Sequence, residues 1–540
     1  MKNISQITKI EILVVFIVFI LSRLPSLGYD TFNTDVWKWK ARTYDFSSGV
    51  FNLNFPQTIQ KYHPGVTLMW LGTGAIKVYN LYYDLAYKHP PVDNDITTVF
   101  ELNFLQKLFI VTAIAAVYAS IYNVLASMFG RKYGVIAIIL LMLEPFNMAL
   151  TREIHLEGMM SAFMLASFLW LYYYLDDRTK TRRIVLSGIF GALAVLTKTS
   201  SIFVMLFVPF ISFVYYFFEL PSFNSAFKLS LNNLYKWLLI FATAFILIWP
   251  AMWVVPIDAL QTLYRGIHDI GIEGGHEQLY FGKLVEDPGV SFYYVVLLVR
   301  SSLYLLVGVF GYLLFARRSF DSKTHRFVLA ALLFAGLYFL EITISTKKLD
   351  RYLLPSMLSL LLVAAVFYEW LLSKASGLFN LALVWVFIPA VILAVNIAPD
   401  YFSYYSPLVG GLHNGIKILE PKWMIGQLQI AEYFQNIKFN DGVKPFEKNE
   451  SMDNLLNSPL INDKLTVGFQ EKYYTQIWPF INSVGGRAVI KDLTPQAVKT
   501  KYFVYPVWDD ESGTEDRFKL QLIDTIKLRG VDVYRVYKRV

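Results

Sequence analysis

The amino-acid sequence predicts a mainly α, polytopic membrane protein of about eleven transmembrane helices, followed by a small α/β domain at the C-terminal end. Three observations carry this. Of the 540 residues, 55% are hydrophobic and 17% charged, against roughly 45–50% and about 25% in an ordinary soluble domain. The mean hydropathy is positive, at +0.44. The apolar residues gather into stretches close to the length of about 20 residues that a bilayer-spanning helix needs. The same composition excludes a disordered or fibrous chain and a nucleic-acid-binding tail. With no cysteine, disulfides, thiolate metal sites and cysteine nucleophiles are excluded too. The net charge of +8 reads as positive-inside bias, with no nucleic-acid partner.

The apolar stretches run near 9–27, 104–126, 133–150, 159–175, 184–198, 200–218, 237–255, 292–315, 327–345, 352–372 and 378–396. Lys2 and Lys9 precede the first, as in a signal peptide. It exits through Ser22-Arg23-Leu24-Pro25, which is not a small-residue cleavage site, so it is expected to stay as an anchor. Three long polar segments remain, 28–103, 256–291 and 397–540. Residues 1–396 therefore read as the membrane module with two outer loops, and 397–540 as a soluble domain. In the latter, Leu465–Phe469, Arg487–Ile490, Tyr502–Val507 and Val531–Tyr537 have the runs of strands. Fifteen Lys and Arg lie in the N-terminus and the short loops on its side, against five in the opposite short loops. The positive-inside rule then places the N-terminus in the cytoplasm of a cell (plasma or inner) membrane. An odd number of spans puts the C-terminal domain and all three long segments on the outer face.

Chemistry is expected where ionisable residues crowd that face. Thr34 can cap a helix on which Asp35, Trp39 and Arg42 share a side at i, i+4, i+7. A carboxylate near an arginine stays ionised and can serve as general base; an interfacial helix with an aromatic belt, Trp37 and Trp39, explains the same letters. His63 stands before a Pro64-Gly65 turn. Arg152, Glu153, His155 and Glu157 fall within six residues at a membrane boundary, which is costly unless they face a polar cavity or pair with one another. Lys198 ends a span, where a helix C-terminus favours a cation. Gly274-Gly275-His276 and Asp287-Pro288-Gly289 form a glycine-rich loop, flexible or shaped to approach a ligand. Lys347, Lys348 and Arg351 oppose the charge bias, so a lipid-linked phosphate, or head groups together with Asp350, is expected to compensate them.

In this order the pieces resemble the membrane-embedded GT-C glycosyltransferases, above all the protein O-mannosyltransferase-like group (glycosyltransferase family 39 and its relatives) and the lipid A aminoarabinose transferase. The resemblance rests on Asp35-x-x-x-Trp39-x-x-Arg42, His63-Pro64-Gly65-Val66-Thr67-x-Met69-Trp70, Arg152-x-x-His155-x-Glu157 and Leu196-Thr197-Lys198. It continues through Trp249-Pro250-Ala251-x-Trp253, Gly275-His276, Asp287-Pro288-Gly289, Lys347-Lys348-x-Asp350-Arg351-Tyr352-x-x-Pro355 and the segment Pro399–Gly411. It implies inverting transfer of a sugar from a polyprenyl-phosphate carrier to an acceptor hydroxyl on protein, lipid or glycan. Asp35 would be the catalytic base and Glu157 the second acidic position, where aspartate is commoner. Arg42, His63, Arg152, His155, Lys198, His276, Lys348, Arg351 and Tyr352 would line the substrate site. The chain departs from the family at Val36, where a glutamate often follows the aspartate, and it lacks the Trp-Trp-Asp-Tyr-Gly signature of oligosaccharyltransferases. Phosphate is already a good leaving group, so a base and nearby cations suffice. A divalent cation on Asp93-Asn94-Asp95 is the weaker expectation. A transporter or flippase for an anionic polyprenyl-linked lipid would also need cations, yet internal repeats and midplane helix breaks are not evident.

Overall fold

The computed structural model describes residues 8–540 apart from 93–94, 273–276, 318–319, 375–379, 441, 448–449, 451, 456–457, 492–494 and 510–518. Among the described residues, six helices are long and apolar enough to cross a membrane: Ile96–Phe129, Leu156–Asp176, Thr199–Phe217, Phe223–Ile248, Ser322–Ile344 and Asp350–Lys374. Phe292–Arg300 and Leu303–Ala316 make a seventh if taken as one span, bent by 110°. The other expected stretches fall on the helices Lys9–Leu21, Arg131–Leu143, Thr181–Thr197 and Asn380–Ile397. The bend sits at Ser301-Ser302, where the Glu144 carboxylate accepts from the Ser302 amide at 3.0 Å and its hydroxyl at 2.5 Å. Ser302 in turn accepts from the Leu305 amide. Those bonds satisfy donors that a helix end leaves open, so a buried break is tolerated.

The bundle is close-packed, and helices approach most closely at small residues. A Cβ on Gly191 would lie 2.2 Å from the Trp237 ring, and the Trp237 indole donates to Ser187 at 2.9 Å. Gly158, in the first turn of Leu156–Asp176, packs on the preceding turn; a Cβ there would meet the Leu150 carbonyl oxygen at 2.4 Å. Backbone atoms cannot swing aside as a side chain can. Gly158→Ala is therefore expected to destabilise the protein by about 1–3 kcal/mol, the usual result of overpacking, seen as a lower unfolding temperature in detergent.

The long segments between spans gather at one end of the bundle. They are more structured than polar loops: Val36–Phe51 and Val66–Tyr87 are helices, as is Pro256–Ile272. Two short strands, β1 (Gln278–Tyr280) and β2 (Lys283–Val285), form a hairpin where a flexible loop was expected. The chain after Ile397 folds back onto this end. The Ser406 amide donates to Val299 at 2.8 Å. Gln427 exchanges two bonds of 2.9 Å with the backbone of Phe32.

Beyond it lies a five-stranded mixed sheet of β3 (Thr466–Phe469), β4 (Arg487–Ile490), β5 (Tyr502–Pro506), β6 (Leu520–Leu528) and β7 (Val531–Arg539), in the order β4-β3-β5-β7-β6. Four strands match the expected runs. β6 was not anticipated, because it is an edge strand with mostly exposed side chains and mixed polarity. Its pairing with β7 turns on Arg529 and Gly530, both with positive φ, as two-residue hairpin turns require. The helix Glu471–Ser483 docks this domain on the first loop: Trp478 packs on Trp37 at 5.0 Å, and the Trp37 indole donates to the Thr475 carbonyl at 2.6 Å.

Candidate active site

Asp35 occupies the N-cap position of Val36–Phe51, one residue later than the expected cap Thr34, and its side chain makes no capping bond. The carboxylate is turned instead toward His155, whose Nε2 lies 3.3 Å from Asp35 Oδ2, and toward Arg351, with Nη2 at 3.9 Å. His155 is the N-cap residue of Leu156–Asp176, and its Nδ1 faces Glu157 Oε2. The other Glu157 oxygen accepts from Lys198 Nζ at 2.7 Å and Arg351 Nε at 3.3 Å. Four segments distant in sequence thus close one alternating array, Asp35–His155–Glu157, with Lys198 and Arg351 bound to the carboxylates. Glu157 is sealed, with 1% of its side chain accessible, whereas Asp35 keeps 27%.

Each member is held from behind. The Asp30, Thr31, Asn33, Lys107, Arg152 and Glu153 side chains form a buried polar knot. Arg152 pairs with Asp30 at 3.1 Å and donates to the carbonyls of Pro25 and Pro399. Lys107 reaches Glu153 at 2.9 Å, and Thr31 and Asn33 donate to the same carboxylate. This fixes the 30–33 turn against the start of the His155-x-Glu157 helix. On the other side Arg300 pairs with Asp350 at 2.9 Å. The second Asp350 oxygen accepts from the Arg351 amide at 2.8 Å, which aims the next side chain. Trp423 caps the array. Its ring meets the His155 ring edgewise at 4.8 Å and lies 5.3 Å from the Arg351 guanidinium carbon.

A cavity of about 220 Å³ adjoins the array, lined among others by His63, Lys198, Glu341, Lys347 and Tyr352. Lys198 Nζ sits 3.9 Å over the Tyr352 ring, and His63 Nδ1 bonds Thr199 at 2.9 Å. The His63-Pro64-Gly65 turn is seated on Leu196-Thr197-Lys198: the Gly65 amide donates to Thr197 at 3.2 Å, and the Thr67 and Thr197 hydroxyls meet at 2.7 Å. Gly65, at φ +59°, lies against the Trp39 ring where a Cβ would clash. Arg42 stacks over the same ring at 4.7 Å.

Of the residues read from sequence, the structure brings together Asp35, His155, Glu157, Lys198, Arg351 and Tyr352, with His63 and Arg42 flanking. It does not bring Arg152 to them, since its guanidinium belongs to the buried knot. Lys348 is separate too, its amine 2.8 Å from Asp287. His276 lies outside the described residues, as do Asp93 and Asn94. Asp95 caps Ile96–Phe129 by accepting from the Thr97 amide. Two features escaped sequence reasoning. Lys107 had a readable signal, an ionisable residue inside an apolar run. Trp423 had none, standing well beyond the last span.

Charges explain the protonation pattern. Burial would raise the Asp35 carboxyl; the hydrogen bond and charge of His155, with Arg351 and Lys38, outweigh it and hold it well below the usual carboxylate range. Burial would lower His155; the Glu157 charge and the bonds to Asp35 and Glu157 outweigh it, so its pKa is raised. Burial, reinforced by Lys198, keeps His63 neutral. A raised folded-state pKa gives stability that is whole below the unfolded value, about 6.5, and fades as pH climbs through the folded one. Thermal stability is therefore expected to decline above about pH 6.5, and His155→Gln to flatten that decline. Melts across the alkaline range check it; an unchanged slope in the variant would exclude His155 as its source. Asp35 acts oppositely, its contribution being lost only in acid.

Residues 89–253 match the profile of the dolichyl-phosphate-mannose-protein mannosyltransferase family. The matched segment holds His155, Glu157 and Lys198, and over it the match bears out the resemblance to the GT-C glycosyltransferases. No curated protein matches the chain significantly. Among solved structures, ArnT from Cupriavidus metallidurans bound to undecaprenyl phosphate is 14% identical, with 98% of this chain and 97% of that one aligned at a TM-score of 0.45. The oligosaccharyltransferase AglB from Archaeoglobus fulgidus, in complex with an inhibitory peptide and a dolichol-phosphate, is 11% identical over 93% of this chain and 70% of that one, at a TM-score of 0.46.

Proposed function

We propose that this protein is an inverting glycosyltransferase that moves a sugar, hexose or pentose, from a polyprenyl-phosphate carrier to an acceptor hydroxyl of a protein, lipid or glycan. Residues 1–396 are its catalytic membrane module, and 397–540 the domain that closes the site with Trp423. The excess of Lys and Arg at the opposite end of the bundle supports a site on the outer face. One observation carries the reading: an accessible carboxylate, Asp35, stands beside Arg351, and a sealed second carboxylate, Glu157, holds that cation and Lys198 in place. That is the division of labour the transfer needs.

In this reading the donor phosphate enters the cavity at Lys198, Tyr352 and His63 and engages Arg351. The acceptor oxygen forms its bond to the anomeric carbon as the carbon–phosphate oxygen bond breaks. The departing phosphate keeps the electron pair, and its growing charge is offset by Arg351 and Lys198. The acceptor proton passes to Asp35. Arg351 helps to depress the Asp35 pKa in the resting site, so a phosphate that draws on Arg351 raises the basicity of Asp35 as the donor arrives.

The test is sugar transfer by the purified protein from polyprenyl-phosphate donors, with donor binding measured separately. Arg351→Gln is expected to weaken donor binding by roughly 1.5–3 kcal/mol, the value of a charge-assisted bond. Lys348→Gln, whose lysine is already paired to Asp287, should weaken it less. Donor affinity unchanged in both variants would remove the phosphate assignment, and absence of transfer from every polyprenyl-phosphate sugar would overturn the function.

A further inference from the structure

At the far end of the bundle a second cavity, of about 680 Å³, opens between the first helix and the Ile96–Phe129, Leu156–Asp176 and Thr181–Thr197 helices. Pockets that hold ligands run roughly 300–1,000 Å³. The Leu156–Asp176 helix has 21 residues and rises about 1.5 Å per residue, so it carries the chain roughly 30 Å from Glu157 to this end. The cavity is thus distinct from the candidate active site.

Its walls are of two kinds. Among the described residues Lys9, Lys180, Arg182 and Arg183 supply four cations to its lining, and no carboxylate does. Asp177, which senses Arg183 and Lys180, is engaged by the Thr179 amide at 3.1 Å and hydroxyl at 2.6 Å. Arg183 is oriented by stacking on the Tyr173 ring at 3.4 Å and donating to the Tyr173 carbonyl. Among the described residues Lys9 and Arg182 form no ion pair. Below the cations Ile12, Leu13 and Phe16 make an apolar wall. It is continuous with the outward face of the same helix, where Ile10, Val14 and Ile17 are exposed. Ser120 and Asn123 line the cavity, and the Trp170 indole bonds Ser120 at 2.8 Å.

Cations grouped in a lining that holds no described carboxylate, over an apolar wall that opens toward lipid, match one chemistry: a phosphodiester headgroup carrying acyl chains. We infer that this cleft binds one anionic glycerophospholipid, its phosphate between Lys9, Lys180 and Arg182 and an acyl chain along Ile12, Leu13 and Phe16.

The experiment uses the full chain in detergent, titrated with phosphatidylglycerol, phosphatidylcholine or inorganic phosphate. Native mass spectrometry counts bound lipid, and melting temperature reports its effect. One retained phosphatidylglycerol is expected, with a higher melting temperature and at least tenfold weaker binding in Lys180→Gln/Arg182→Gln. Those lysine and arginine side chains are exposed, so the lipid-free melt should match the parent protein. Lys132→Gln, a change in the same basic end but outside the cleft, should bind normally. Equal binding of phosphatidylcholine, or an equal shift with inorganic phosphate alone, would overturn the lipid assignment. So would equal losses in Lys132→Gln, which would mark general attraction by the basic end, or unchanged binding in the double variant.

Discussion

Asp35→Asn should insert, fold and bind the lipid donor much as the parent protein does, yet turn over about 10²–10⁴-fold more slowly, the usual contribution of a positioned acid–base group. The amide keeps the size of the carboxylate and can still bond His155, but it cannot accept a proton. Little else depends on this carboxyl. His155 retains Glu157 through its other nitrogen, Arg351 retains Glu157 and Asp350's support of its backbone, and Lys38 is a surface residue. Single-turnover transfer with saturating donor separates the chemical step from binding. A variant with near-normal turnover would take the base away from Asp35 and put the glycosyltransferase mechanism itself in doubt. A variant that loses donor affinity along with turnover would make Asp35 a structural support of Arg351 instead.

How far the sequence anticipated this site depends on what fixed each part. Helix positions followed from apolar composition, because lipid forces backbone bonds to be met within each segment. Among the described residues the expected stretches fall on helices, six of which are long and apolar enough to cross a membrane by themselves, although the 110° bend at Ser301 was not foreseen. It depends on Glu144, more than 150 residues away, and no local pattern announces such a partner. Asp35, His155, Glu157, Lys198 and Arg351 were legible as ionisable residues at span boundaries, where burial without partners is expensive. Their pairing was not legible, since it is decided by how the loops meet. Arg152 shows the limit. It stands three residues before His155 and looked equivalent, but the turn between them sends its guanidinium to Asp30 and the backbone of Pro25 and Pro399. Trp423 reaches the array because the chain after the last helix folds back, which hydropathy does not encode.

Glu157→Gln is expected to act chiefly on stability and only secondarily on the chemical step. Glu157 is buried and serves His155, Lys198 and Arg351 together. Removing one partner of a buried ion pair costs about 3–5 kcal/mol, because the remaining charges stay desolvated and uncompensated. The unfolding temperature should drop accordingly, and the folded fraction should lose less turnover than Asp35→Asn does. Two further readings identify the cause. The Glu157 charge is a main reason that the His155 pKa is raised, so the loss of stability above about pH 6.5 should flatten in Glu157→Gln. Removing a cation as well should restore part of what was lost: Lys198→Met in the Glu157→Gln background leaves one fewer unpaired charge and refills the space with an apolar chain. If the double variant is instead less stable than Glu157→Gln by the full cost of Lys198→Met alone, the two residues are uncoupled and the array does not hold together through Glu157. A turnover loss in Glu157→Gln larger than that in Asp35→Asn, with folding intact, would transfer the base to Glu157.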